Sequence, residues 1–458
     1  MRALLDRRSG PAAALLLALA LAIRLRNALH FPPDWGFDAS FNWKYIFELS
    51  KGFSLPHPAA GWATADPPLF FYLAALVWRA CAWLGARDAV LVAVPLLGSA
   101  AGLGIAALAV ALVRRLAPRD PARAVLAGGL VLFLPAHVQM SAMVNEEIWT
   151  ALFASLALYL LATREGAGAT AGGEIRRAAA AGLAAGLSLL AKLTGAVAVV
   201  AAAATYAVDG LRHRSPRRAV PCIAAVLAAA LLGGGWYFVR SQLLYGYLQP
   251  FGLPAHQRMF RLPPGERGLR DFVSLPLATF TDPQLLNPDL LHSVWGSTYV
   301  TVWFDGHRTF LPAADEGVRR LGTATLILAL LPTVAFGLGC LRGLRRVLAG
   351  AGRADLPLLL ATAIALLGYA SYNWRNPWYA VLKGTSLLAL CLPFAAYASE
   401  VLADWLRRGR PRRIAVGVAL AGLLLCVTLG TSFDLLFEKR EVSGLPWQTL
   451  APGEEPPR

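Results

Sequence analysis

The side chains best placed for chemistry are acids and cations set beside long apolar segments. Asp38 follows a Pro/Gly-rich turn, Asp66 stands directly before Pro67-Pro68, and Glu146-Glu147 fall in a short connector between two apolar runs. Charged groups this close to hydrocarbon are costly to hold and often functional. Lys192 interrupts a run that is otherwise almost wholly apolar, Arg240 follows Trp236-Tyr237-Phe238-Val239, and Arg375 and Lys383 flank Asn376-Pro377-Trp378-Tyr379. Cations of this kind suit the phosphate of an anionic head group, while carboxylates can exchange protons with a bound hydroxyl. Each has a plainer alternative: helix capping for Asp38 and Asp66, water contact for Glu146 and Glu147, snorkelling for Lys192, and lipid contact for the remaining cations.

The elements that must position these groups are membrane helices. Of the 458 residues, 57% are hydrophobic and only 15% charged, where soluble domains average about 25% charged. That balance excludes disordered and ordinary cytosolic proteins, and the five scattered cysteines exclude a disulfide scaffold. The net charge of +16 is dispersed: six segments (1–10, 114–123, 164–177, 212–218, 342–353 and 406–413) hold 23 of the 43 Lys and Arg. Such dispersal matches cytoplasmic loops under the positive-inside rule and argues against a nucleic-acid-binding surface. The apolar stretches between them predict an all-α polytopic membrane protein of eleven spans, near 11–29, 88–113, 124–142, 148–163, 178–192, 195–211, 219–238, 321–341, 356–373, 384–405 and 414–431.

With a cytoplasmic N-terminus, this count places every basic cluster inside and the tail 432–458 outside. Residues 67–85 would invert that order if they crossed, so they read as a juxtamembrane or re-entrant helix. The first run is retained as a span, because it lacks the small-residue cleavage site of a signal peptide. Lys192 fits best in a tight outer turn at 192–195. From Ser40 the spacing predicts an amphipathic interfacial helix with Phe41, Tyr45, Ile46 and Leu49 on one face and Asn42, Lys44 and Glu48 turned away. The chain divides into 1–238, which includes the first outer loop 30–87, a second outer region 239–319, the helices of 320–431, and the tail. No cytoplasmic segment is long enough for a nucleotide-binding domain, and no Walker-type loop occurs. Chemistry therefore belongs on the outer face.

Five segments in this order resemble the polytopic GT-C glycosyltransferases, particularly protein O-mannosyltransferases and lipid A aminoarabinose transferases. Phe37-Asp38-Ala39 resembles that family's acidic pair, with Ala in place of the second acid. Asp66-Pro67-Pro68-Leu69 is similar to its X-Pro-Pro-Leu motif, with an acid where His or Lys is common. Asn145-Glu146, Gly186 to Gly195 around Lys192, and Gly235-Trp236 through Arg240 to Tyr245-Gly246 resemble its remaining motifs. The resemblance implies transfer of a sugar from a polyprenyl-phosphate donor to a glycolipid, glycan or protein acceptor on the extracytoplasmic side. It makes Asp38 the base, lets Glu146 orient the acceptor, and gives the lipid phosphate to Lys192, Arg240, Arg375 and Lys383. Asp66 is a substrate-side acid that could share a divalent ion with Asp38; two acids without histidines are a weak ligand set, so no metal is assigned. The Ala/Arg-rich composition points to a bacterial inner membrane. A secondary transporter is the main rival, though no internal repeat and no midplane acid supports one.

Overall fold

Helix is the only regular element among the described residues, because near-continuous Ala, Leu, Val and Gly runs leave intrasegment hydrogen bonding as the way to satisfy backbone in lipid. The computed structural model describes residues 2–58, 60–164, 170–248, 264–313 and 315–439. Its principal helices are α1 (Arg2–His30), α2 (Ala39–Gly52), α3 (Leu69–Trp83), α4 (Val90–Leu116), α5 (Pro121–Leu132), α6 (Pro135–Ala142), α7 (Glu147–Ala162), α8 (Ala171–Ala191) and α9 (Ala196–Arg212). The second half holds α10 (Pro216–Ala230), α11 (Trp236–Tyr245), α12 (Val294–Trp303), α13 (Glu316–Leu348), α14 (Asp355–Arg375), α15 (Cys391–Arg407) and α16 (Arg410–Thr431).

Among the described residues, eight helical stretches are long and apolar enough to cross a membrane, or nine if the bent pair α5–α6 is one span. The protein is thus a multi-pass membrane protein, but length and composition do not reproduce the expected count of eleven. Of the other two expected spans, α7 has only 16 residues, and the first turns of α8 carry Glu174, Arg176 and Arg177; a straight crossing needs about 20 apolar residues. The tempting segment at 67–85 forms the 15-residue α3. Its Arg79 lies over the Phe53 ring at 5.2 Å.

The basic clusters meet at one end of the bundle. Arg346 bonds Asp355 and Glu400 at 2.7 and 2.8 Å, Arg123 also reaches Glu400, and Arg407 pairs with Asp120. Arg353 approaches Glu174 at 3.6 Å and Arg212 donates to the Val347 carbonyl. One shared end for five clusters is the arrangement that alternating spans require. At the other end, the Phe31, Trp35, Phe310 and Phe433 rings pack together, and Asn27 binds both the Thr431 carbonyl and the Phe433 amide. The outer loops and the segment after α16 are therefore joined.

Two breaks shape the site end. Pro135 cannot donate to the α5 ladder and bends the α5–α6 pair by 55°. The buried Arg24 guanidinium covers the break, donating to the Leu132 carbonyl and meeting His137 Nδ1, both at 3.1 Å. Close glycine contacts fix α8 against the π-helical turn 231–235: a Cβ on Gly234 would stand 2.0 Å from the Gly186 carbonyl oxygen. Backbone cannot step aside as a side chain can. Gly234→Ala is therefore expected to cost about 1–3 kcal/mol in thermal unfolding, whereas Gly337→Ala, where a Cβ meets nothing within 4 Å, should leave the midpoint unchanged or slightly raised. Equal midpoints for the two variants would refute tight α8 seating.

Candidate functional site

Four acids and a lysine gather where the α1–α2 loop, the α2–α3 loop, the α6–α7 connector and the α8–α9 turn meet. The turn forms as the charge pattern demands: α8 ends at Ala191, Lys192 is extended, and a short 3-10 turn of residues 193–195 leads into α9. Gly195 permits it, since a Cβ there would lie 2.2 Å from the Ser188 carbonyl carbon. Lys192 Nζ then sits 2.5 Å from Glu146 Oε1 and 2.8 Å from Glu147 Oε1. Both glutamates are buried. The Asn145 side chain accepts from the Glu147 amide and orders this connector, and Ser188 donates to the Thr150 carbonyl, tying α8 to α7.

Lys192 is partnered by the protein's own carboxylates, reached across 45 and 46 residues of sequence. Glu147 does not face bulk water. Its signal was its place beside Glu146 at the start of an apolar helix.

Asp66 completes the cluster electrostatically, feeling Glu146, Lys192, Asp38 and Glu147. It does not cap α3: Pro68 holds the cap position, and Asp66 instead ends the 3-10 turn 63–65. Tyr237 of α11 donates to the Ala65 or Asp66 carbonyl oxygen, each 3.2 Å away, so the Trp236–Tyr245 helix fixes this loop. Burial, then the charge of Glu146, pushes the Asp66 carboxyl well above the ordinary aspartate range; Lys192 offsets this only in part. Burial also raises Glu146, but Lys192 overrides it and holds that carboxyl below its usual value. At Lys192 burial favours the neutral amine, and Glu146, Glu147 and Asp66 reverse it, keeping the ammonium well above its ordinary pKa.

A raised folded pKa means that Asp66 supports folding when protonated and loses that contribution as pH rises through the folded value. Asp66→Asn should therefore leave stability unchanged near pH 4, close to the unfolded aspartate pKa of about 3.9, and raise the unfolding midpoint increasingly toward pH 8. Denaturation of the detergent-solubilised protein at several pH values checks this; a loss of stability at pH 8 would overturn it.

Asp38 occupies the N-cap position of α2 but makes no side-chain cap bond; its backbone is left-handed, with φ 58° and ψ 18°. The carboxylate is exposed and coupled to Asp66. A non-glycine residue in this region is uncommon, Asp tolerates it better than most, and such strain gathers at functional positions. The α2 helix itself departs from the expected interfacial form. Its Trp43, Tyr45, Ile46, Phe47 and Leu49 are buried, and Asn42, expected to face away, points inward and donates to the Val144 carbonyl at 2.7 Å. That bond ties the helix following Asp38 to the connector carrying Glu146.

The cations separate. Arg240 is half-buried, 5.8 Å from the Tyr245 ring, and is felt by the Tyr72 hydroxyl and by those of Tyr45 and Tyr237, which also feel Asp66. Lys383 lies over the Phe37 ring at 4.2 Å and is coupled to Glu146. Arg375 is exposed at the last turn of α14, and among the described residues it joins no ion pair of the cluster. The described residues contain no group of three or more His, Cys, Asp or Glu able to hold a metal ion.

Residues 65–236, the stretch carrying Asp66, Glu146 and Lys192, match the family described as dolichyl-phosphate-mannose-protein mannosyltransferase. The structure is similar over 92% of the chain to ArnT from Cupriavidus metallidurans bound to undecaprenyl phosphate, at 14% identity, a TM-score of 0.52 and 76% coverage of that protein. The chain has the GT-C fold. It is similar over 93% of its length to the archaeal oligosaccharyltransferase AglB from Archaeoglobus fulgidus, solved with an inhibitory peptide and a dolichol-phosphate, at 16% identity and a TM-score of 0.50. The chain covers 56% of that oligosaccharyltransferase. No curated protein matches it by sequence.

Proposed function

We propose that this protein is a glycosyltransferase that moves a sugar from a polyprenyl-phosphate donor to a hydroxyl-bearing acceptor on the extracytoplasmic face of a bacterial inner membrane, with its N-terminus in the cytoplasm. The observation that carries this reading is Asp38: a strained, exposed carboxylate without a capping role, coupled to a buried acid cluster. The family match over 65–236 and the GT-C fold support it, as do the basic clusters collected at the opposite end.

In this mechanism the acceptor oxygen bonds to C1 of the sugar as the bond from C1 to the donor phosphate oxygen breaks. The electron pair leaves with the polyprenyl phosphate, and the acceptor proton passes to Asp38. Glu146 orients the acceptor. Among the cations near the acids, Arg240 and Lys383 join no ion pair among the described residues, and Arg240, on the Asp66 side of the cluster, is the one assigned to the leaving phosphate. Lys192 is instead a positioning residue that holds Glu146 ionised and pairs with both Glu146 and Glu147. Arg375, at its exposed helix end, serves the approach of the lipid phosphate. Asp66, with its high proton affinity, shares the proton load with Asp38.

The test uses the full chain in oriented vesicles supplied with a labelled short-chain polyprenyl-phosphate mannose and extracytoplasmic glycolipid, glycan and peptide acceptors. Label in a new glycosidic product on the face bearing the Asp38 loop, with matching release of polyprenyl phosphate, is the expected result. Movement of label across the membrane with no new glycosidic bond would favour a transporter and overturn the proposal.

A further inference from the structure

Beside the acid cluster lies a second polar feature that the mechanism above leaves unused. A small cavity opens between Phe37, one residue before Asp38, and Met143, three residues before Glu146. Into it face Gln139 from α6, Thr385, His307 and Lys383, with Phe304 on the far wall. Gln139 is 5% exposed and Thr385 3%. The buried Gln139 Nε2, Thr385 Oγ1 and His307 Nε2 all lack a hydrogen-bond partner. Buried polar atoms are costly to leave unpaired, and three around one cavity mark a place built for a polar group.

The wall also selects the sign of that group. Lys383 Nζ lies 4.2 Å from the Phe37 ring centroid, and the His307 ring meets the same phenyl edge-on at 4.9 Å. Burial and Lys383 hold His307 down to about 3, so it is neutral at physiological pH. Asp305, the acid lining this cavity, spends both carboxylate oxygens on the Thr309, Phe310 and Leu311 amides. With both Asp305 oxygens already taken by backbone amides, the wall offers an ammonium no free carboxylate oxygen, while an oxygen substituent would meet an amide donor, a hydroxyl, an imidazole nitrogen and a cation.

Building on the proposed transferase reading, we infer that this cavity is a sugar-selecting subsite, seating an oxygen substituent of the transferred sugar and rejecting a protonated amine. Phe37 and Met143 belong to the segments that carry Asp38 and Glu146, and Lys383 of the wall is coupled to Glu146. Gln139, His307, Lys383 and Thr385 are then specificity residues.

Native mass spectrometry of the full chain in nanodiscs tests this with three probes: polyprenyl phosphate, polyprenyl-phosphate mannose, and polyprenyl-phosphate 4-amino-4-deoxyarabinose. Wild type is expected to hold the mannose form at least fivefold tighter than the bare lipid phosphate, and the amino sugar form at least tenfold more weakly than the mannose form. Thr385→Val and Gln139→Leu should each erase most of the mannose advantage without changing affinity for bare polyprenyl phosphate, which also reports intact folding. Lys383→Met should narrow the gap between hydroxyl and amine sugars. If bare polyprenyl phosphate binds but wild type does not distinguish the two sugars, or if the variants leave the distinction unchanged, the subsite is refuted and the transferase reading stands. Failure of wild type to bind any of the three lipids would sink both.

Discussion

Asp38→Asn should lower turnover by about 10²- to 10⁴-fold, the range that a positioned general base contributes, with donor binding intact. Asparagine is the informative substitution because it keeps the shape of the side chain and, like aspartate, tolerates the left-handed backbone found here at φ 58°. Alanine would add strain to the loss of the base and confuse the two. Because Asp38 makes no side-chain cap bond, the asparagine variant should unfold within about 0.5 kcal/mol of wild type, as for surface substitutions that break no interaction. Single-turnover transfer, together with binding of polyprenyl phosphate to the same preparation, separates the outcomes. Loss of kcat with unchanged lipid affinity is the signature of a missing base. Undiminished transfer by the variant would take Asp38 out of the chemistry.

Asp38, Glu146 and Lys192 could be singled out in the chain because each breaks an apolar or turn pattern at a membrane boundary, where an unpaired charge is expensive. The same logic placed the turn at 192–195 and brought the basic loops to one end, both of which are found. What spacing could not supply is the partner. Periodicity tells which face of a helix is buried, not what it is buried against. The two carboxylates that hold Lys192 come from a different helix start, and Asn42 turned inward because the Val144 carbonyl needed a donor. Length and composition recover eight or nine of the eleven expected spans for a related reason. Short helices such as α7 are buried by their neighbours and need not satisfy a length rule on their own. The polar cavity around His307 was legible only as a stretch of mixed aromatic and polar residues, because Phe37, Gln139 and Lys383 reach it from three distant segments.

Lys192→Met should destabilise the folded protein by about 3–5 kcal/mol, the cost of leaving buried carboxylates without their counter-ion. The methionine keeps the length and apolar stem of lysine, so packing changes little. The charge account has a pH signature that a packing account lacks. In wild type, Lys192 holds the Glu146 carboxyl below its ordinary value. Glu146 therefore contributes stability above the unfolded pKa of about 4.3 and loses it as pH falls through the lower folded value. Without the lysine, burial dominates and the folded state binds a proton more readily than the unfolded chain, so the variant weakens as pH rises. The stability gap between the two proteins should be widest near pH 7 and shrink toward pH 4. Neutralising the stranded acids as well, in Lys192→Met/Glu146→Gln/Glu147→Gln, should recover most of the loss at pH 7. Thermal unfolding in nanodiscs across this pH range makes the distinction. A gap that is constant with pH, or a triple variant no more stable than the single one, would mean that Lys192 supports the turn by packing and that the buried ion triad contributes little.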